Sequence, residues 1–237
     1  MKYGLAYFGE SYDASGVDIV QEFQYPQKGI FSEDFYTLFI DLAKETEDLF
    51  SGFEKNTKYE INRACNKDEI LVETLDAVEE KIAFYDFYNR FALTKKREPI
   101  GTNEIDLLIV NNMFTIRAAS FKGERLIYHS YVTTNNRARL AQSASLFRVS
   151  DNAAFKALTG RANRLLHWDD ILYFKDQGYG IYDMGGVVLD ESNKEGQAIT
   201  RFKRCFGGTL VKEYKSWIPV SPKGWTLVCF KALTGRL

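Results

Sequence analysis

Cysteine, histidine and proline are scarce in this chain of 237 residues, and each shortage closes off a class of function. The three cysteines, Cys65, Cys205 and Cys229, are odd in number and far apart. Neither a disulfide framework nor a Cys-x-x-Cys metal site follows from them, and a reducing cytoplasmic setting is the expectation. The two histidines, His129 and His167, stand in no HExxH motif and no Cys/His cluster, so no metal is expected. With four prolines and no stretch rich in Gly, Ser and Pro, no linker is visible. Long apolar runs are missing as well. The longest aliphatic one covers residues 107–110, whereas a bilayer-spanning helix needs roughly 20 residues. The opening Met1-Lys2-Tyr3-Gly4-Leu5 has no signal-peptide character, and no transmembrane segment is expected. Nor is there an excess of one charge: 31 Lys and Arg against 32 Asp and Glu give −1. Only a local basic patch would then draw the chain to nucleic acid or an anionic membrane.

What the chain has in quantity is aromatic side chains, 18 Phe, 14 Tyr and 3 Trp. They supply ample core, and each buried Tyr needs a partner for its hydroxyl. At about 150 residues per domain the length amounts to about one and a half domains. One heptapeptide, Phe155-Lys156-Ala157-Leu158-Thr159-Gly160-Arg161, recurs unchanged at residues 230–236, but the flanks differ and no repeat architecture follows.

Periodicity supplies the elements. Residues 35–42 read as a strand, 46–50 as a helical turn, and 55–65 as a helix with Ile61, Ala64 and Cys65 on one side. After a short strand at 69–74, Asp76 and Glu79 suggest a capped helix start. Its face would comprise Val78, Ile82, Tyr85, Tyr88 and Ala92, widened by Phe84, Phe87 and Phe91. Residues 113–121 and 125–133 form a hairpin around Lys122-Gly123-Glu124. Thr134-Asn135-Asn136 then reads as the cap of a helix reaching Leu146, and a further helix spans 163–177 before Gly178. A strand at 179–184, a helix at 195–206 and strands at 209–220 and 226–230 complete the chain. Strands and helices mix without strict βαβ alternation, which argues for an α+β fold around a mixed sheet.

Familiar catalytic signatures are absent. Gly178-Tyr179-Gly180 begins like a dinucleotide fingerprint, but Asp183 takes the third glycine position and a strand follows. No GxxxxGK[ST] loop or GxSxG elbow occurs. The informative cluster is Tyr182-Asp183-Met184-Gly185-Gly186, then Glu195-Gly196, then Phe202-Lys203-Arg204-Cys205-Phe206-Gly207-Gly208. In order and spacing it resembles the Fem-type peptidoglycan bridge-forming aminoacyltransferases and their single-domain relatives in the GNAT acyltransferase superfamily. There a Tyr-Asp-x-Gly-Gly strand end precedes a Phe-Lys-x-x-Phe-Gly helix. Lys55-Asn56-Thr57-Lys58-Tyr59-Glu60-Ile61-Asn62-Arg63-Ala64 and Tyr88-Asn89-Arg90-Phe91-Ala92 are similar to further family segments, and the resemblance runs over about residues 35–217.

The resemblance implies a mixed, mainly antiparallel central sheet flanked by helices, the acyl-CoA N-acyltransferase fold. It also implies one elaborated GNAT-like domain over 1–237, less typical before about residue 100 and better matched from about 101 onward. Lys203, on a helix packed by Ile199, Phe202 and Phe206, would neutralise ligand phosphate or a tetrahedral oxyanion. Asp183 stands at a strand end before Gly185 and Gly186, where backbone approaches a ligand closely. Tyr182 is a candidate acid for the leaving group. His129 is a candidate base with a suitable intrinsic pKa, although a structural histidine is the commoner case, and His167 reads as helix packing. Lys58 and Arg63 would meet a phosphorylated sugar or nucleotide, against the ordinary alternative of a solvated charged face.

GNAT enzymes commonly bind the coenzyme A pyrophosphate on a glycine-rich loop at a helix N-terminus. Here Asn136-Arg137-Ala138-Arg139 has no glycine, which leaves Arg137 and Arg139 to hold phosphate by their side chains. The resulting expectation is a cytoplasmic enzyme moving an acyl group, foremost acetyl from acetyl-CoA or another acyl-CoA, to an amine on a nucleotide sugar or peptidoglycan precursor. A tRNA-dependent aminoacyltransferase is the alternative, disfavoured by neutral charge. A non-catalytic ligand-binding domain that keeps the fold is the other.

Overall fold

A central hairpin with a helix on each face organises the larger part of the chain. The computed structural model describes residues 1–9, 11–12, 14–95, 99–134, 136–145 and 152–235. Asn135, Leu146 and Arg236 lie outside them, as do the side chains of Val78 and Leu107. Two compact units interleave along the sequence: residues 39–185 with 202–208, and residues 1–38 with 186–201 and the chain from 209 onward.

In the larger unit, β5 (Phe114–Phe121) and β6 (Glu124–Thr133) form the expected antiparallel hairpin. On its outer side β4 (Leu71–Thr74) pairs antiparallel with β5. On its inner side β7 (Arg137–Ser145) pairs antiparallel with β6, and β8 (Ile181–Gly186) lies parallel to β7. The pairing is thus mixed and mainly antiparallel, as expected. One face buries Ile116, Ala118, Tyr128 and Ala144 against Phe84 and Phe87 of α3 (Val78–Thr94). The other buries Ala119, Leu126 and Ile127 against Ala162 and Leu166 of α5 (Ala153–Asp176). Two further helices, α1 (Thr46–Ser51) and α2 (Lys55–Lys67), follow β3 (Ser32–Asp41), and α4 (Thr102–Val110) precedes β5. In the smaller unit β1 (Tyr3–Tyr7) runs parallel to β2 (Ile19–Tyr25), which pairs antiparallel with β9 (Thr209–Pro219). Helix α6 (Lys194–Arg204) crosses the division at residue 201, and α7 (Pro222–Leu233) ends the described chain.

Several expectations are corrected. Residues 137–145 form strand β7 where a helix was expected. Ala138, Leu140 and Ala144 are buried, and pairing on both edges outweighs the helix propensity of Ala, Leu and Arg. Residues 226–230 are helical: Ser221 Oγ accepts the Gly224 amide hydrogen at 3.1 Å, and Pro222 opens the first turn, overriding the strand-like Thr-Leu-Val run. Helix α5 begins ten residues earlier than expected, because Asn152 Oδ1 accepts from the Ala154 and Phe155 amides at 2.8 and 3.2 Å. It therefore absorbs the first heptapeptide, while the second begins in the last turn of α7, which ends at Leu233. Helix α3 starts one residue later than the Asp76 reading, with the Ala77 amide donating to Glu80 at 3.3 Å. Phe84, Phe87 and Ala92 carry its buried face; Ile82 is exposed, as is Cys65 on α2. Gly178 ends the α5 segment as expected, with φ +84°.

The α3 correction is testable by chemical denaturation. Phe84→Ala is expected to cost about 3–5 kcal/mol, whereas Ile82→Ala stays within about 0.5 kcal/mol. Equal losses would restore the face read from periodicity.

Candidate functional site

Strand alternation sends neighbouring residues of β8 to opposite faces, and each face of this strand carries a separate polar cluster. Tyr182 points toward α5 and joins a network whose centre, Asp170 with His129 and Tyr131, is fully buried. Asp170, on the buried stripe of α5, accepts from Arg117 Nε at 2.8 Å and from the Tyr131 hydroxyl at 2.5 Å. Its Oδ2 also lies 2.7 Å from His129 Nδ1, while His129 Nε2 lies 3.0 Å from Asn163 Oδ1. Arg117 additionally donates to Thr74 Oγ1 at 2.6 Å, pairs with Asp169 and stacks on the Tyr173 ring at 4.3 Å.

The donors can be ordered. Because Tyr131 gives its one proton to Asp170, the Tyr182 hydroxyl donates to Tyr131 across 2.9 Å. His167 Nδ1–H then donates to Tyr182 across 2.8 Å. Burial, followed by the charge of Asp170, holds the Tyr131 and Tyr182 hydroxyls well above the ordinary tyrosine range. Burial, then the proximity of His129, keeps the His167 imidazole well below its usual value, so it is neutral. The expected proton donor Tyr182 and proton acceptor His129 are therefore sealed in the interior with their polar atoms partnered.

His129, His167 and Asp170 bring one potential ligand atom each within 4.8 Å of one another, a metal-like grouping that sequence spacing did not reveal. Its donor set is already satisfied: Arg117 answers the charge of Asp170, and the imidazoles bond to Asn163 and Tyr182. A dication there would displace these bonds beside a buried guanidinium.

The opposite face of β8 carries Asp183 and Gly185. Asp183 is fully buried; its Oδ2 accepts from Arg137 Nε at 3.0 Å and from the same guanidinium's Nη2, and its Oδ1 accepts from the Gly185 amide at 2.8 Å. Arg137 also stacks on the Phe39 ring at 4.3 Å. Gly185 has φ +73°, and a methyl group there would stand 2.6 Å from the Leu140 carbonyl oxygen. Only glycine allows this approach of β7 and β8. The same methyl position lies 3.6 Å from Lys203 Nζ, so the ammonium faces bare strand backbone. Lys203 is half-buried overall, with its charged end turned inward. Desolvation brings its pKa down to about 8; Asp183 opposes the shift and Arg139 adds to it.

Aromatic packing holds this lysine in place. Phe206 meets Phe53 at 5.3 Å and His167 at 5.0 Å, and Phe202 packs on Phe206 at 5.5 Å. The Glu54 amide donates to the Cys205 carbonyl at 2.9 Å, tying the start of α2 to the end of α6. Ile199, expected among the packing residues, is exposed instead.

The structure thus brings Lys203, Asp183, Gly185, Arg137 and Arg139 together and leaves the other candidates elsewhere. Lys58 Nζ donates to the Ser51 carbonyl at 3.0 Å, and Arg63 is exposed on α2. Gly186 abuts the Phe35 ring, 3.1 Å from a methyl group built upon it. Asn136 is exposed, but its Oδ1 accepts from the Gly180 amide at 3.0 Å and its carbonyl accepts from the Gly180 and Ile181 amides. Within residues 136–139, Asn136 secures the approach to β8, Arg137 is bound to Asp183, and no helix starts. Sequence reasoning missed Arg117, Tyr131, Asn163 and Asp170. The available signal was charge inside apolar patterns, Arg117 between Ile116 and Ala118 and Asp170 between Leu166 and Phe174 at four-residue spacing.

No known family profile and no curated protein matches the chain. Solved structures do. "Crystal structure of FemX" superposes with a TM-score of 0.63 at 12% identity, covering 81% of this chain and 64% of that one. The C-terminal domain of a putative lysylphosphatidylglycerol synthetase from Agrobacterium fabrum superposes at 0.55 with 11% identity, covering 94% and 75%. L-PGS from Bacillus licheniformis gives 0.52 with 12% identity, covering 92% and 74%. The chain therefore has the GNAT-like, Fem-type fold expected from its motifs, and it spans 64% of the length of the FemX chain.

The buried network makes a stability prediction. Asp170→Asn leaves Arg117 without its interior counter-charge and is expected to cost about 3–5 kcal/mol in urea denaturation. Asp169→Asn, at a half-exposed carboxylate, should cost no more than about 1 kcal/mol.

Proposed function

We propose that the chain is an acyltransferase whose chemistry centres on Lys203. The observation that carries this reading is the Lys203 ammonium beside the backbone at Gly185, at the end of β8, in low-dielectric surroundings. The FemX-like fold supports the same reaction class. An amine attacks an activated carboxyl carbon, a thioester or an aminoacyl ester. The C–N bond forms, the carbonyl oxygen takes up negative charge, and its collapse breaks the bond to the leaving thiolate or alkoxide, which takes up the proton that the amine nitrogen loses. A cation preorganised at that oxygen stabilises the transition state strongly, because the site need not reorganise as charge develops. With a pKa of about 8, Lys203 is mostly charged at neutral pH and suits this role. Asp183 acts as a positioning residue: bonded to Arg137 and to the Gly185 amide, it shapes the backbone that Lys203 faces.

Acceptors in this reading are amines on nucleotide sugars or peptidoglycan precursors, with Lys58 and Arg63 of α2 as phosphate contacts. The occupied state of Asn136 and Arg137 favours a second donor reading, an aminoacyl ester on tRNA in place of an acyl-CoA, since the pyrophosphate has no cradle at those residues.

Thermal-shift titration with acetyl-CoA, charged tRNA and amino-bearing nucleotide sugars separates the donors, each raising Tm only if bound. Stabilisation by nucleotide sugar alone, without turnover, would mean a binding domain that keeps the fold. With an active donor and acceptor pair, Lys203→Ala should lower kcat by about 100-fold or more. The role fixes the sign of the pH dependence. If the charged form works, the lysine-dependent part of kcat is full below its pKa and declines as pH rises through about 8. A rate that climbs through that range would make Lys203 a base instead.

A further inference from the structure

A lysine stem rotates freely about its methylene bonds. The reach of Lys203 is therefore set by the backbone that carries it and by the backbone it faces. Residues 202–208, which carry it, belong to the larger unit and end on two glycines. Gly208 has φ +90°, and a methyl group built on it would stand 2.8 Å from the Phe39 carbonyl oxygen. The obstruction is strand backbone, which cannot rotate aside, so the chain closes on β3 only because this residue is bare. Hydrogen bonds carry that position back to the lysine. The Phe206 amide donates to the Lys203 carbonyl at 3.1 Å, and the Gly207 amide donates to the Arg204 carbonyl at 2.9 Å. A shift at Gly208 thus moves Lys203 and is not absorbed between them.

The facing backbone is held from the same residue of β3. The Phe39 ring lies 4.3 Å from the guanidinium carbon of Arg137. Arg137 donates to Asp183 through Nε and Nη2, and Asp183 Oδ1 accepts from the Gly185 amide at 2.8 Å. Gly185 is the backbone that Lys203 Nζ faces. Phe39 therefore touches both sides of the gap, with its carbonyl against Gly208 and its ring against Arg137. All of these residues lie in the larger unit.

We propose that Phe39 and Gly208 are positioning residues for Lys203, which fix from one point on β3 the distance between the ammonium and the Gly185 backbone. This assignment rests on the lysine-centred acyl-transfer reading and adds to it what sets the lysine's reach.

The seat can be read without turnover, by titrating the Lys203 ammonium in NMR spectra of the lysine-labelled chain, with its signal assigned by loss in Lys203→Arg. Desolvation holds this group down to about 8, with Asp183 on β8 and Arg139 on β7 as its charged neighbours. Opening the seat admits water, and a loosened Arg137 leaves more of the Asp183 charge to the ammonium, so both effects raise the midpoint. Phe39→Leu removes the ring but keeps apolar bulk. This variant and Gly208→Ala are each expected to raise the midpoint by about one pH unit or more, toward the ordinary lysine value of about 10.4. Each should also lower kcat by about tenfold or more, with a smaller change in KM. Phe39→Tyr keeps the ring and should titrate as the wild type. Phe84 packs with Ile116, Ala118 and Tyr128, none of which belongs to this loop of contacts. Phe84→Ala should therefore lower stability and leave the titration in place. An unchanged Lys203 titration in folded Phe39→Leu overturns the assignment. So does an equal shift in Phe84→Ala, which would trace the effect to general loosening. A raised midpoint with undiminished turnover would uphold the seat and reject the chemistry centred on the lysine.

Discussion

The buried carboxylate of Asp170 is the constraint around which the larger unit is arranged. Moving such a charge out of water costs several kcal/mol, and it is tolerable only where the surroundings supply charge and hydrogen bonds. Here the supply comes from two strands: the Arg117 guanidinium on β5, and His129 with the Tyr131 hydroxyl on β6. One side chain thereby fixes the position of α5 on the hairpin more specifically than apolar contact, which tolerates sliding. The hydroxyl of Tyr182 and the imidazole of His167 extend the bonding to β8 and back to α5, closing a loop of polar groups inside an aromatic shell.

Two charged pairs on opposite faces of β8 do different work. Asp170 and Arg117 hold structure together beyond reach of solvent. Asp183 and Arg137 also consume each other's charge, but they do so beside a glycine backbone that a lysine faces. Lys203 is the member of this second cluster whose protonation equilibrium lies near neutrality, because desolvation of its ammonium exceeds the attraction of Asp183. The residue types sought for proton transfer, histidine and tyrosine, went to the first cluster.

Legibility followed the range of the interactions. Local signals were read correctly. The hairpin around Gly123, the helix read at 55–65 and found at Lys55–Lys67, and the glycine stop at Gly178 each depend on residues a few positions apart. The motif from Tyr182 to Gly208 was legible as a fold signature for the same reason, since strand end, loop and helix are contiguous. The failures were non-local. Residues 137–145 have good helix formers and become a strand because β6 and β8 stand on either side of them. In α7, Ser221 and Pro222 outweigh a strand-like run that follows. Ile82 satisfied a helical period and still faces outward, since periodicity gives the width of a stripe and not which rim meets the sheet.

By itself, the sequence determined the α+β class and the hairpin, which rest on propensity, turn chemistry and short spacing that the chain carries locally; the expectation placed on Lys203 and Gly185 came from the resemblance to the Fem-type motif. Tertiary structure decided the partners. Arg117, His129 and Tyr131 meet Asp170 across separations of 39 to 53 residues, and Arg137 meets Asp183 across 46. Whether a charged or aromatic side chain becomes buried structure or stays exposed depends on desolvation and on what packs against it, and both are set only when distant segments come together.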